Sequence, residues 1–295
     1  MIQRIDVKEP VESFVKALEQ DGLVVVRNFA SADDLVQSLQ EVQPYLDADK
    51  PWEGKLFPPE TKRCFRLIGR SKTVREKFFS HPLYQQVSEH FLARTTTNYY
   101  DDTPTTYTTH PLLSMSMTMA IGPGAKAQRI HRDEKNHHAT HVKSETYVMG
   151  NDLLVGLMVP TCATTIENGA TQVIPGSHLW GDHRPPYRDE LVSAELDRGD
   201  AVLLLGSLYH CGANNYSTQI RPMHIMFQCP GVYRQEEIPW LSYDVQDVKT
   251  YSPLVQQRLG YVSSAPNLGW VDLKSPDFLL REEGDEVGHK DLDEA

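Results

Sequence analysis

The chain is poor in everything that would staple it, anchor it or draw it to nucleic acid. Its four cysteines, Cys64, Cys162, Cys211 and Cys229, form no CxxC pair and no dense framework. That excludes a disulfide scaffold and reads as free thiols in a reducing compartment. No apolar run approaches the ~18 residues that a spanning helix needs. The opening stretch MIQRIDVKEPVES is charged and lacks an apolar core, so it is not read as a secretory signal. Positive charge is also scarce: 29 Lys and Arg face 40 Asp and Glu, a net charge of −11. Phosphate backbones need basic stripes, so nucleic acid is not the expected partner. Neither an internal repeat nor a low-complexity linker interrupts the chain. These absences leave a cytoplasmic globular protein with no membrane partner. At 295 residues and 40% hydrophobic content, it can bury about three quarters of its unfolded surface without staples.

What is present changes character along the chain. In EPVESFVKALEQDG, Val11, Phe14, Val15 and Leu18 share one helical face, and Asp21-Gly22 ends the helix. LVVVRNF reads as a short buried strand. SADDLVQSLQEVQPYL opens with Ser31 and Asp34 at capping-box spacing. A Pro-rich loop follows, then helices near 72–80 and 82–93. From LLSMSMTMAI onward the period is two, with Met115, Met117 and Met119 on one face and Ser114, Ser116 and Thr118 on the other. AQRIHRD, DLLVGLMV, TQVIPGS, AVLLLGSLYH and RPMHIMFQC are further strand candidates, separated by Gly, Pro, Asn and Asp turns. TTTNYYDDTPTTYTT, with Tyr99, Tyr100 and Tyr107, reads as a Thr-rich loop. The pattern predicts a mainly β chain with helical flanks (α+β), a sandwich or jelly roll. One domain is expected over 1–280, with its core at about 110–232. Residues 281–295 read as an acidic disordered tail.

The chemistry gathers in AQRIHRDEKNHHATH, which holds four histidines. On a strand, residues two apart share a face, so His131 and Asp133 can aim at one point. That spacing alone is weak, for it recurs at His289 and Asp291 in the tail, with no strand before it. His210 strengthens it, because it ends the apolar run AVLLLGSLYH and projects from a buried strand. A second histidine from another strand would complete a 2-His-1-carboxylate triad for non-haem Fe(II). Arg221 opens the next strand, where a guanidinium can clamp a carboxylate. His178 follows a turn and reads as structural, packing beside Trp180. His137, His138 and His141 read as a solvated loop at the mouth of the site.

GPGAKAQRIHRDE, ENGATQVIPGSHLW, RGDAVLLLGSLYHCGANN and Arg221, with LEQDGLVVVRNF before them, resemble the phytanoyl-CoA dioxygenase-like branch of the Fe(II)/2-oxoglutarate-dependent oxygenases. Within it the chain is most similar to fungal enzymes that oxidise meroterpenoids and alkaloids. The resemblance implies a double-stranded β-helix with iron held by His131, Asp133 and His210. It implies that Arg221 binds the far carboxylate of 2-oxoglutarate, with Gln128 and Thr171 as further polar contacts, and that O2 is consumed. Related halogenases carry a small residue where this chain keeps Asp133, so an oxygenase is expected.

The expected reaction is oxidation of C–H bonds in a hydrophobic polycyclic natural product of secondary metabolism, a terpenoid, meroterpenoid or alkaloid, by an enzyme working as a homodimer. Met115, Met117, Met119 and Phe227 are candidates for the substrate wall, since methionine adapts to irregular shapes. Ordinary core packing is the competing reading of the methionine face, and the Ser/Thr face could equally look inward. Two other classes stay open: a cupin-like or zinc enzyme without 2-oxoglutarate, and a non-catalytic subunit of the same fold.

Overall fold

Short apolar runs bounded by turn residues dominate this chain, and in the computed structural model, which describes residues 2–54 and 57–281, they become a sheet buried on both faces. The strands are β1 (Arg4–Asp6), β2 (Leu23–Arg27), β3 (Thr61–Phe65), β4 (Arg94–Tyr100), β5 (Thr103–Thr109), β6 (Leu112–Ile121), β7 (Val155–Pro160), β8 (Gln172–Val173), β9 (Val192–Ser193), β10 (Ala201–Leu205), β11 (His210–Cys211) and β12 (Arg221–Cys229). Seven of them form one sheet in the order β1-β2-β10-β7-β12-β6-β3, and β11-β8-β9 form a small second sheet.

Alternation decides what each face meets. Val24, Val26, Leu157, Val159, Leu203 and Met226 face the helical layer. Val25, Met158, Leu204, Met223 and Phe227 face the other way, in one cluster with Val173 of the small sheet. The two sheets thus close over a shared apolar interior, the jelly-roll core. Helices α1 (Val11–Asp21) and α2 (Ala32–Ala48) cover the outer face with α3 (Leu67–Arg70) and α4 (Pro82–Leu92). The Ser31 hydroxyl accepts from Asp34 N at 3.1 Å, as the capping spacing requires. Gly22 caps α1 at φ 77°, a left-handed conformation that favours glycine. A Cβ there would also stand 2.7 Å from His178 Nδ1.

The two faces of β6 part company. Its Ser/Thr face turns to the helices: Thr118 Oγ1 lies 2.7 Å from His224 Nδ1, and His224 Nε2 lies 3.1 Å from Ser38 Oγ on α2. Burial drives the His224 pKa down to about 3, so it is a neutral link between sheet and helix. The methionine face turns inward, with Met115, Met117 and Met119 directly opposite Phe227, Ile225 and Met223.

Three expectations need correcting. The Thr-rich stretch is a β4–β5 hairpin, apart from both sheets. Its alternate threonines pair across the strands, Thr95 with Thr108 and Thr97 with Thr106, each at 2.9 Å, as β-branched residues favour. AQRIHRD is not a strand; it contributes one isolated bridge, His131 to His210. His178 is structural as expected, but its neighbours are Glu19, whose carbonyl accepts from Nε2 at 3.0 Å, and the Tyr147 ring. The acidic tail, with His289 and Asp291, lies outside the described residues apart from Arg281.

Candidate metal centre

His131 and His210 meet as a backbone pair. Each donates its N–H to the other's carbonyl at 3.0 Å, so the chain segment after β6 is sewn to β11. Residues paired across a ladder put their side chains on one side, and the ring centroids stand 4.5 Å apart. Asp133 follows two residues after His131, past an extended Arg132, and opens a short 3-10 turn, Asp133–His137. Asp133 Oδ1 lies 3.5 Å from His131 Nε2, and Asp133 Oδ2 lies 3.3 Å from His210 Nε2.

The histidine tautomers are set by backbone carbonyls. His131 Nδ1 donates to Arg129 O at 2.8 Å and His210 Nδ1 donates to Leu208 O at 3.0 Å. Both Nε2 lone pairs are thereby aimed at Asp133, the arrangement in which histidine ligates a metal. One ligand atom from each residue falls within 4.8 Å of the other two. Donors held at ~2.1 Å from one ion stand ~3 Å apart at right angles, so the spacing fits a single metal ion. Burial works against the Asp133 charge, but His210 and His131 override it and hold the carboxyl below the usual range. Burial likewise lowers His131, and Asp133 outweighs it, leaving the imidazole above its ordinary pKa.

A buried polar bracket lies behind the triad. Glu134, fully buried, accepts from Leu153 N at 3.1 Å and pairs with His141 Nε2. Its own N–H donates to Gly206 O at 3.4 Å. Ser207 donates to Asp152, whose carboxyl is pushed up to about 7 by burial first and the Glu134 charge second. The bracket joins the segment carrying His131 and Asp133 to the turn leading into His210. His141 is therefore no decoration of an entrance, although His138 is exposed and His137 is half-buried, donating to Arg234 O. One signal for this bracket went unread: an acidic residue directly after Asp133, with a histidine seven further on.

Arg221 begins β12 on the face it shares with Met223 and Phe227. It is 2% exposed. Its Nε donates to Asn168 O at 3.0 Å, and among the described residues neither Nη has a partner and no carboxylate forms an ion pair with it. Burial lowers its pKa to about 10, so it stays charged at neutral pH. A buried cation without a counter-charge fits an anionic ligand. Gln128, three residues before His131, is tied to the segment between His210 and Arg221: its N–H donates to Gly212 O at 2.9 Å, and its Oε1 accepts from Gly212 N at 2.8 Å. Thr171 precedes β8 by one residue, on the side of Val173, the cross-strand partner of His210. Phe227 is 5% exposed and its ring lies against Gly156, where a Cβ would stand 2.5 Å from Phe227 Cε1. Of the three methionines, Met115 is half-buried and Met117 and Met119 are buried.

The chain is similar to known proteins. A model of the phytanoyl-CoA dioxygenase (PhyH) family matches residues 18–223. The chain is 34% identical over 278 residues to dioxygenase himG of Aspergillus japonicus, covering 90% of this chain and 86% of that one. It is 32% identical over 276 residues to dioxygenase peniF of Penicillium patulum, covering 92% and 88%. Among solved structures, the epimerase SnoN in complex with Fe3+, alpha ketoglutarate and nogalamycin RO superposes at a TM-score of 0.57 and 16% identity, over 78% of this chain and 88% of that one. HygX from Streptomyces hygroscopicus, with nickel and 2-oxoglutarate bound, gives 0.55 and 13%, over 77% and 90%. These two likenesses are of fold. The family match and the fungal relatives carry the conclusion that this chain belongs to the phytanoyl-CoA dioxygenase family and is a dioxygenase that works with iron and 2-oxoglutarate.

Proposed function

We propose that His131, Asp133 and His210 hold the iron, that Arg221, Gln128 and Thr171 hold 2-oxoglutarate, and that the enzyme oxidises C–H bonds of a hydrophobic polycyclic natural product, a terpenoid, meroterpenoid or alkaloid. The observation that carries this is the convergence of three ligand atoms within 4.8 Å, both histidines pre-set to present Nε2. Iron and 2-oxoglutarate, when bound, would supply the oxidising power, with O2 consumed and 2-oxoglutarate converted to succinate and CO2.

The chain's own residues bind, orient and exclude water. Arg221 offers two Nη groups to a carboxylate in a fixed fork. Asp133 would supply the one carboxylate donor, and His131 and His210 would each present Nε2. Met115, Met117, Met119 and Phe227 line the interior side of the large sheet with Met158, Met223 and Ile225, an apolar surface that suits a ring-rich substrate. The source of SnoN, nogalamycin biosynthesis, supports a natural product in that place. A homodimer is the expected assembly, and Leu268, Trp270, Val271 and Leu273, all exposed, form an apolar stretch that such a contact would use. A zinc or cupin-like enzyme could use the same triad, but would leave Arg221 buried without a purpose.

The test is spectroscopic. Anaerobic Fe(II) with 2-oxoglutarate should give the wild-type protein a weak visible charge-transfer band. His131→Ala and His210→Ala should lose it while keeping their far-UV circular dichroism. A band of wild-type strength in either variant overturns the ligand assignment.

A further inference from the structure

Cys162 has no part in the account so far. The β7 ladder with β12 runs past its last strand residue: Pro160 pairs with Met223, and Thr161 N donates to Pro222 O at 3.1 Å. The next position in that register sets Cys162 opposite Arg221. Directly opposed residues share a face, with Cβ atoms about 4.5–5.5 Å apart. Cys162, in the bend that follows β7, therefore lies near the guanidinium. The two groups influence each other's charge, although burial, the larger effect, leaves the Cys162 thiol above the usual cysteine range. The other three cysteines are fully buried, whereas Cys162 is partly open.

A second observation points to a ligand at the same spot. Arg221 is 2% exposed, and among the described residues its Nη groups meet no partner. We propose that Cys162 forms part of the wall of the pocket that takes the far carboxylate of 2-oxoglutarate, and that alkylation of its thiol by a small soft electrophile closes that pocket. The proposal rests on the reading of Arg221 as the carboxylate anchor. With iodoacetamide the Cys162 sulfur forms a bond to the reagent's CH2 as the C–I bond breaks. Iodide leaves and the thiol proton passes to solvent. The added amide then occupies the space in front of the guanidinium. Because the thiolate is the nucleophile and this thiol is raised, labelling should still be accelerating well into the alkaline range.

The experiment is an alkylation footprint read by peptide mass spectrometry, with iodoacetamide as probe and nickel-loaded protein so that no turnover occurs. Cys162 should be the cysteine labelled in the folded protein, and saturating 2-oxoglutarate should slow that labelling at least tenfold. Titration calorimetry on the labelled protein should show 2-oxoglutarate bound at least tenfold more weakly. In Cys162→Ser, the same reagent treatment should leave 2-oxoglutarate affinity where it was before treatment. Failure of Cys162 to label, labelling at an unchanged rate with co-substrate present, or unaltered affinity after labelling each overturns the proposal. So does a loss of affinity on treating Cys162→Ser. Arg221→Ala binding 2-oxoglutarate as tightly as wild type would instead remove the underlying reading of Arg221, so the two failures are distinguishable.

Discussion

Two arginines stand on the inner face of the large sheet, 3% and 2% exposed, in opposite circumstances. Arg63, on the edge strand β3 opposite Met119, has its counter-charge within the fold: Nε and Nη2 donate to Asp49 Oδ2 at 3.0 and 2.9 Å, and the guanidinium lies against the Trp52 and Phe57 rings. Arg221, two strands away, donates to one carbonyl and meets no carboxylate among the described residues. Desolvating a cation costs several kcal/mol per ion. In the first case that cost is offset by Asp49; in the second no carboxylate among the described residues offsets it, which fits the proposed co-substrate. Equal burial therefore says little about role, and the partner inventory says most.

The largest expected effect is at the site with its own counter-charge. Arg63→Met should lose about 3–5 kcal/mol of stability, because Asp49 is left without its cation. Its 2-oxoglutarate affinity should change little. Urea denaturation and a co-substrate titration on the same protein check both halves; a stable variant with weakened co-substrate binding would invert the comparison.

Arg221→Ala should do the reverse. Losing a charge-assisted pair with the far carboxylate costs about 2–5 kcal/mol of binding, roughly thirty-fold or more in affinity. The apo-protein's melting temperature should change little, since relief of an unpaired buried cation offsets loss of the single bond to Asn168 O. An unchanged KM for 2-oxoglutarate rules the role out.

The same contrast divides two adjacent acids. Asp133 faces the triad, while Glu134 is held by Leu153 and His141 inside the fold. Outer groups that orient metal ligands typically matter by about 10–100-fold. Glu134→Gln should weaken Co(II) binding within that range with the fold retained, as measured by titration of the metal's visible spectrum. Wild-type affinity would show that the bracket does not reach the metal.

A further effect concerns pH. Asp152 is held near pKa 7, against about 4 for an unfolded aspartate. Between those values the folded state keeps a proton that the unfolded state has released, so stability falls as pH rises through the window. Asp152→Asn removes that contribution. The drop in urea midpoint from pH 4 to pH 7 should be smaller in the variant than in wild type; equal drops would dismiss Asp152 as the source.

Periodicity was enough to read most of the fold. Apolar runs marked β2, β7, β10 and β12, and Ser31 with Asp34 marked the start of α2. The apolar run before His210 is a local signal that placed that residue, whereas the strand expected to carry His131 and Asp133 is a single bridge, and the cluster forms all the same. The hairpin was not legible, because Thr and Tyr are polar enough to suggest a loop while their β-branching and aromatic character favour strands. His141 was misjudged for a similar reason. Its neighbours in sequence are polar, and only the distant Leu153 and Gly206 segments bury Glu134 beside it. Which face of β6 looks inward was likewise undecidable locally, since it depends on Ser38 and His224, far apart in the chain.

The His131–His210 pairing ties together chain segments 79 residues apart. Bringing such distant segments together carries a loop-closure cost that slows assembly. The donor set therefore does not exist until the small sheet has closed against the large one, and an unfolded chain offers the ion only scattered imidazoles. Metal added during refolding should leave the rate of collapse unchanged and act afterwards, as a latch on the finished seam. Its influence belongs to the unfolding rate, so metal-loaded protein should outlast the metal-free form under protease by a margin that grows with free metal concentration.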